Sequence, residues 1–398
     1  MTAGNIAWVL MATALVWLMV PGLALFYGGF THPKHMVNTF AMVLIAIAIG
    51  GVLWFVVGYS LAFSGNQAII GDFHDAFLHG VSMVDSTKGY TIPDGLFALF
   101  QGMFPMITMA IIAGGVVGRM NFKAFIVFLI LWLFLVYVPL AHMVWGNGWF
   151  ARLGVLDFAG GTVVHISSGV SSLVLALCLG RRQEMTSTVA HNMPAIVIGG
   201  GLLWFGWFGF NAGSALAANG QAILAFINTS VAASMGMVTW LIISLVLAQH
   251  IKVTDLLSGA LAGLVAITPG AGYVNPGSAA VIGLIVAFVV WLSITYVKNH
   301  LGYDDTLDAF GIHGIGGIFG GLLTGVFAIK SLAGHAGLIE GQGHLFLVQT
   351  LSISVTLLVV VSITFMIVKF IKHVMPLRVD QRVELAGIDV AQHGETIY

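Results

Sequence analysis

The sequence predicts an all-α polytopic membrane protein with eleven transmembrane helices, on three observations. Of the 398 residues, 59% are hydrophobic and only 7% charged, whereas an ordinary globular chain carries roughly a quarter charged residues. The apolar residues gather into eleven stretches of spanning length, for which roughly 20 residues suffice. The Lys and Arg residues between those stretches fall almost entirely on one side of the alternating connections.

The first stretch, at about 6–30, follows five residues without side-chain charge. It therefore lacks the basic start of a signal peptide and reads as a retained first helix. The next stretches lie at about 37–62, 94–118, 123–143, 159–180 and 191–214. The last five lie at about 220–248, 254–272, 277–297, 307–329 and 345–372. In lipid each must satisfy its backbone groups internally, and all are too long and continuous for barrel strands. The 51 glycines, with many Ala and Ser, suit membrane helices that approach closely. The single cysteine, Cys178, lies in an apolar run and excludes an intrachain disulfide. A net charge of −1 offers nothing to a nucleic acid.

With the N-terminus outside, the inner side holds Lys34, Arg119, Lys123, Arg181, Arg182, Lys252, Lys298, Lys369, Lys372, Arg378 and Arg382. The outer side holds only Lys88, Arg152 and Lys330. This split sets the orientation, placing the C-terminus in the cytoplasm. The expected organisation is a transmembrane domain over 1–374 and a polar cytoplasmic tail over 375–398. The fifth helix carries Asp157-Phe-Ala-Gly-Gly-Thr-Val-Val-His165 and the tenth Asp308-Ala-Phe-Gly-Ile-His313. Each is an acid at a helix start followed by Phe, Gly and an embedded histidine. Five helices per unit is odd, so two units at about 1–182 and 190–330 would be inverted repeats. The eleventh helix, at about 345–372, would be peripheral.

Ionisable groups within a bilayer are costly and usually functional. His165 lies eight residues, roughly 12 Å, below Asp157, and His313 five residues, about 7–8 Å, above Asp308. The two imidazoles approach the midplane from opposite faces and are expected to meet in one pore. Desolvation disfavours imidazolium, so both are expected to be neutral. Neutral imidazole offers one donor and one acceptor, which suits a small polar molecule better than an alkali cation that wants several oxygens. The alternative is two separate core histidines, each bonded to a backbone carbonyl. At the outer ends of three helices stand Trp145, Ser214 and Asp157. An indole face and a hydroxyl can replace part of a cation's hydration. Alternatively, Trp145 belongs to the interfacial aromatic belt and Asp157 is a helix cap.

These motifs resemble the ammonium transporter family (Amt/Mep, distantly Rhesus) in its prokaryotic form. The matching segments are 141–146, 151–169, 206–214, 266–273 and 304–314, with His393-Gly-Glu395 in the tail. The resemblance implies an ammonium channel or transporter, not an enzyme, with no cofactor and no metal. It implies an outer recruitment site of Trp145, Phe104 and Ser214 with Asp157 behind it, a gate of stacked rings at Phe104 and Phe210, and a pore pair of His165 and His313. It further implies a homotrimer in the cell (inner) membrane, carrying ammonium or ammonia with methylammonium as an analogue. A PII-type signalling protein would be a partner at the cytoplasmic face. The tail stretch 379–389 is less acidic than in the family, which weakens the PII expectation only. Trp145 with Ser214 favours a recruiting member over a Rhesus-like neutral gas channel. An ammonium sensor is a further alternative. A divalent-metal transporter is disfavoured by the lack of buried carboxylates beside the histidines, and a hydrolase by the absence of His-Glu-x-x-His or Gly-x-Ser-x-Gly.

Overall fold

The computed structural model describes residues 1–184, 190–247 and 250–397. Among them, ten helices are long and apolar enough to cross a bilayer. They are α1 (Ala3–Phe30), α2 (Pro33–Phe63), α3 (Asp94–Gly115), α4 (Phe122–Leu153), α5 (Gly161–Leu179), α6 (Met193–Gly213), α7 (Gly220–Val246), α9 (Pro276–Leu301), α10 (Phe310–Phe327) and α11 (His344–Val374). A shorter apolar helix, α8 (Val253–Ile267), stands between α7 and α9. The chain is a multi-pass membrane protein.

Local chemistry sets these ends. Side-chain oxygens of Asn121, Asn192, Asn219 and Asn275 accept backbone N–H bonds at the starts of α4, α6, α7 and α9, satisfying donors that a helix cannot pair internally. The eighth apolar stretch was expected to run to about 272, but its helix stops at Ile267. Pro269 cannot continue the ladder, and turns follow through Tyr273. The carbonyls this frees at Ala271 and Val274 are each met by the Asn228 side-chain amide at 2.8 Å.

Small residues let the central helices approach closely. A Cβ on Gly199 of α6 would sit 2.4 Å from the Phe26 nitrogen of α1. On Gly169 of α5 it would sit 2.2 Å from the Gly314 nitrogen of α10. These are backbone-to-backbone contacts in which any side chain forces the helices apart. Helix α11 packs against α4, α5 and α10 through one face. Its other face exposes Leu347, Leu351, Leu358, Phe365, Met366 and Phe370, a row suited to lipid.

The tail does not dangle. Two short helices, α12 (Gln381–Ala386) and α13 (Ile388–His393), lie across the ends of α2, α4 and α5. The Asp389 carboxylate accepts the N–H groups of Val37 and Asn38 at 3.0 and 2.8 Å, and the Gln392 side chain accepts that of Phe122 at 2.9 Å. Arg378 donates to the Leu179 carbonyl closing α5 (2.9 Å) and pairs with Glu384 (2.8 Å). The tail thus caps helix ends that would otherwise leave backbone groups unpaired.

Candidate functional site

The site is built around a buried carboxylate at the start of α5. Asp157 is 4% exposed. Its Oδ1 accepts from the N–H groups of Gly160 (2.8 Å) and Gly161 (2.7 Å), and its Oδ2 from Thr162 (2.8 Å) and Val163 (3.3 Å). Gly160, at φ +119°, makes the sharp entry that this capture requires. The helix opens as a π-helical turn, Gly161–Ile166, which carries His165. Such wide turns are frequent at functional sites.

Helix α10 repeats the device, with a correction to the sequence reading. The acid that captures its first N–H groups is Asp305, which accepts from Ala309 at 3.1 Å and Phe310 at 2.7 Å. Asp308 points elsewhere, pairing with Lys298 at 2.6 Å from a left-handed backbone at φ +58°. Asp305 precedes His313 by eight residues, the same offset as Asp157 to His165. His313 also lies in a π-helical turn, Phe310–Ile315.

The two histidines meet. Their Nδ1 atoms are 3.2 Å apart and their rings, tilted by 25°, have centroids 5.2 Å apart. A single proton serves that bond, so one Nδ1 donates and the other accepts. The outward nitrogens then differ: one ring presents a bare Nε2 and the other an Nε2–H. His165 Nε2 is buried with no protein partner. It borders a cavity of about 10 Å³, room for about one water molecule. The walls are apolar, among them Leu23, Ile107, Ile111, Leu203, Leu261 and Ile312.

Aromatic rings lead from this cavity toward the mouth on the N-terminal face. Phe210 lies 6.0 Å from His165 between centroids, Phe104 lies 4.5 Å from Phe210, and Trp145 lies 5.9 Å from Phe104, edge to face. Phe104 and Phe210 are each 1% exposed, so the two rings are closed off from solvent. The indole N–H of Trp145 donates to the Asp157 carbonyl at 2.8 Å, which fixes the ring. Ser214 donates its hydroxyl to the Phe210 carbonyl at 2.8 Å, leaving its oxygen lone pairs free. The six predicted residues Trp145, Phe104, Phe210, His165, His313 and Asp157 are therefore one continuous arrangement, and Ser214 joins it through Phe210.

Sequence reasoning missed Trp207. It stacks on His165 at 5.3 Å and 21°, held by a 2.9 Å bond from its indole nitrogen to the Thr268 hydroxyl. Its place three residues before Phe210 puts it on the same face of α6, a signal that was available. Among the described residues no group of three His, Cys, Asp or Glu side chains is placed to hold a metal ion.

Toward the tail face lies a wider chamber of about 670 Å³, which shares the lining residues Phe26 and Ile312 with this cavity. The chamber is lined by α1, α7, α8, α9 and α10.

The sequence profile of the Ammonium Transporter Family matches residues 7–398. The chain is 46% identical to an ammonium transporter of Bacillus subtilis (strain 168), across 100% of this chain and 99% of that protein. It is 42% identical to the ammonium transporter Amt1 of Archaeoglobus fulgidus, covering 100% of both. Among solved structures, one described as a sensor Amt protein superposes with a TM-score of 0.90 at 30% identity, covering 98% of each chain. Saccharomyces cerevisiae Mep2 superposes at 0.87 and 36% identity, covering 96% of this chain and 90% of that one.

Proposed function

The chain belongs to the ammonium transporter family, and from that premise we propose that it moves ammonium across the cell (inner) membrane as ammonia. The observation that supports this reading is the small apolar cavity beside two imidazoles that share one hydrogen bond. Ammonium docks at the outer mouth against the Trp145 face and the Ser214 oxygen, with Phe104 as the floor. Asp157 acts from behind, fixing Trp145 through its carbonyl and contributing a negative field that the helix N-terminus partly offsets. A bare cation is expensive at hydrocarbon depth, so the proton stays behind. Ammonia passes when the Phe104 and Phe210 rings swing aside. It then trades hydrogen bonds with the bare Nε2 and the Nε2–H of the pair. Potassium has no proton to leave and is refused.

The finer topology follows the same reading. α8 with the turns after it makes an eleventh crossing, the N-terminus lies outside, and the tail is cytoplasmic. The common offset of eight residues between acid and histidine supports two inverted five-helix units with α11 added at the edge. We further read the assembly as a homotrimer with a pore in each subunit and the tail face as the docking side for a PII-type protein. Native mass spectrometry of the solubilised protein tests the first of these.

The functional test replaces both His165 and His313 with alanine in liposomes and compares ammonium, methylammonium and potassium. Selective ammonium flux should be lost. Flux that persists at the original rate, with potassium still excluded, removes the histidines from the mechanism. Trp145→Leu should raise the half-saturating ammonium concentration or the through-rate. A profile identical to the parent's would discard the cation–π site.

A further inference from the structure

Asp255 and Asp308 line the tail-face chamber, Asp304 and Asp305 are neighbours of Asp308 in sequence, and three of these four are structurally committed. Asp304 is 1% exposed and accepts three bonds from Arg182 at 2.8 Å each. Asp305 captures the first N–H groups of α10. Asp308 is neutralised by Lys298. Asp255 is different. It is half-buried in the chamber wall, and its carboxylate has no ion-pair partner among the described residues. Among the described residues its one side-chain hydrogen bond comes from the Thr254 hydroxyl at 3.5 Å, the outer limit for such a bond. Holding a carboxylate partly out of water with its acceptors unused is unfavourable. Helix geometry explains only a part: Asp255 stands in the first turn of α8, where the helix dipole favours a negative charge modestly.

The surroundings match what a small cation needs. The chamber brings the Asp255 carboxylate together with two indoles, Trp240 and Trp291, and two hydroxyls, Ser258 and Thr295. Carboxylate, aromatic face and hydroxyl oxygen are the donor types that stand at the outer mouth in Asp157, Trp145 and Ser214. Among the described residues the cation that lines the chamber with Asp255 is Lys252, exposed and just before the start of α8; Lys298 is engaged by Asp308. The chamber shares Phe26 and Ile312 with the small cavity beside the histidines, which puts it next in line for cargo that leaves their inner side.

We propose that Asp255 makes the tail-face chamber a second ammonium subsite, which sets the affinity of the transporter from its inner side. Ammonia leaving the pore takes a proton from water, and the hydroxide diffuses to bulk. The ammonium formed rests against Asp255 until it exchanges into the cytoplasm. In the reverse direction the same carboxylate raises the local concentration of substrate for efflux. This rests on the pore reading above.

The test measures ammonium flux in both directions across liposomes with the protein inserted in one orientation. Asp255→Asn should raise the half-saturating ammonium concentration about three- to tenfold from the inner face at low salt, as expected for losing one unit charge near a solvated cation. The outer-face value should not move. The difference should shrink in high salt, and Asp255→Glu should restore it. An inner-face value equal to the parent's, or an equal shift at both faces, overturns the proposal. A lower unfolding temperature with unchanged sided affinity assigns Asp255 to the helix dipole alone. Where Asp255→Asn folds poorly, Asp255→Ser replaces it. A parent protein without selective ammonium flux defeats the pore reading instead, and this inference falls with it.

Discussion

Removing the Asp157 carboxylate separates its two possible roles. Four N–H groups end on its two oxygens, at 2.7–3.3 Å, in a place that is 4% exposed. A hydrogen bond to a charged group contributes about 1.5–3 kcal/mol net, and a buried donor left unpaired costs about 1–3 kcal/mol. Asp157→Ala empties all four. Water entering the vacated space will recover part of this, so the expected loss is about 3–5 kcal/mol, in the range reserved for a broken buried network. Asp157→Asn keeps one oxygen for Gly160 and Gly161 but sets an amide NH₂ against the N–H groups of Thr162 and Val163. About 2 kcal/mol should be lost there. Thermal unfolding in detergent, followed by tryptophan emission, should rank parent above Asn above Ala. Flux should fall in the same order, because the turn that loosens carries His165. The reasoning is refuted if Asp157→Ala unfolds at the parent temperature while its ammonium affinity alone is lost. Asp157 would then act through its field and not as the frame of the pore.

Two further outcomes follow from the packing and the charge network. Gly169→Ala places a methyl 2.2 Å from the Gly314 nitrogen, next to His313. The two helices must separate, so folded protein should drop sharply on size exclusion, or what remains should fail to conduct. Asp304 sits beneath the tail with Arg182 and Arg119. Burial alone would raise its carboxyl, but the Arg182 bonds and the Arg119 charge outweigh that and hold it below the usual carboxylate range. A depressed carboxylate stabilises the fold above its unfolded value, near 4, and the gain is lost as pH falls through the folded value. Unfolding temperature should therefore be flat across neutral pH and decline below about 4. Asp304→Asn should cost about 3 kcal/mol at neutral pH, as expected for stranding a buried guanidinium, and flatten the acid limb. An unchanged acid limb would exclude Asp304 as its source.

The parts of the fold that sequence revealed are those governed by solvent and by chain length. Ten of the eleven apolar stretches are membrane-length helices, nine of them within a few residues of the expected ends, while the fourth, expected at about 123–143, runs on to Leu153. The eighth was overestimated because Ala271 is apolar by composition, while Pro269 ends the helix by geometry. At the site, the histidine pair was legible because two embedded histidines entering from opposite sides have one place to meet. The capping acid of α10 was misread. Asp304, Asp305 and Asp308 all precede the helix, and proximity favoured Asp308, whereas the offset already known from Asp157 to His165 selects Asp305. The docking of the tail was not legible. Its contacts with α2, α4 and α5 join residues far apart in sequence, from 199 positions for Leu179 and Arg378 to 270 for Phe122 and Gln392, and no local pattern encodes them.

The matched spacing has an energetic consequence. Each histidine is placed by an acid eight residues earlier, and the two rings meet through a single bond. That bond can be broken once. Asp157→Asn loosens the turn under His165, and Asp305→Asn loosens the turn under His313, where only two N–H groups are held. Each change alone should displace one ring and abolish most of the contact. For stability, the two sites engage separate backbone segments, and their losses should add within about 0.5 kcal/mol. Flux should behave differently. Once either ring has moved, the second change has little left to destroy, and the double variant should transport no worse than the weaker single variant. A double-mutant cycle on unfolding and on ammonium flux, in the same preparations, reads both quantities. Additive losses in the logarithm of flux would mean that each histidine serves the passage independently, and that the bond between them is incidental to conduction.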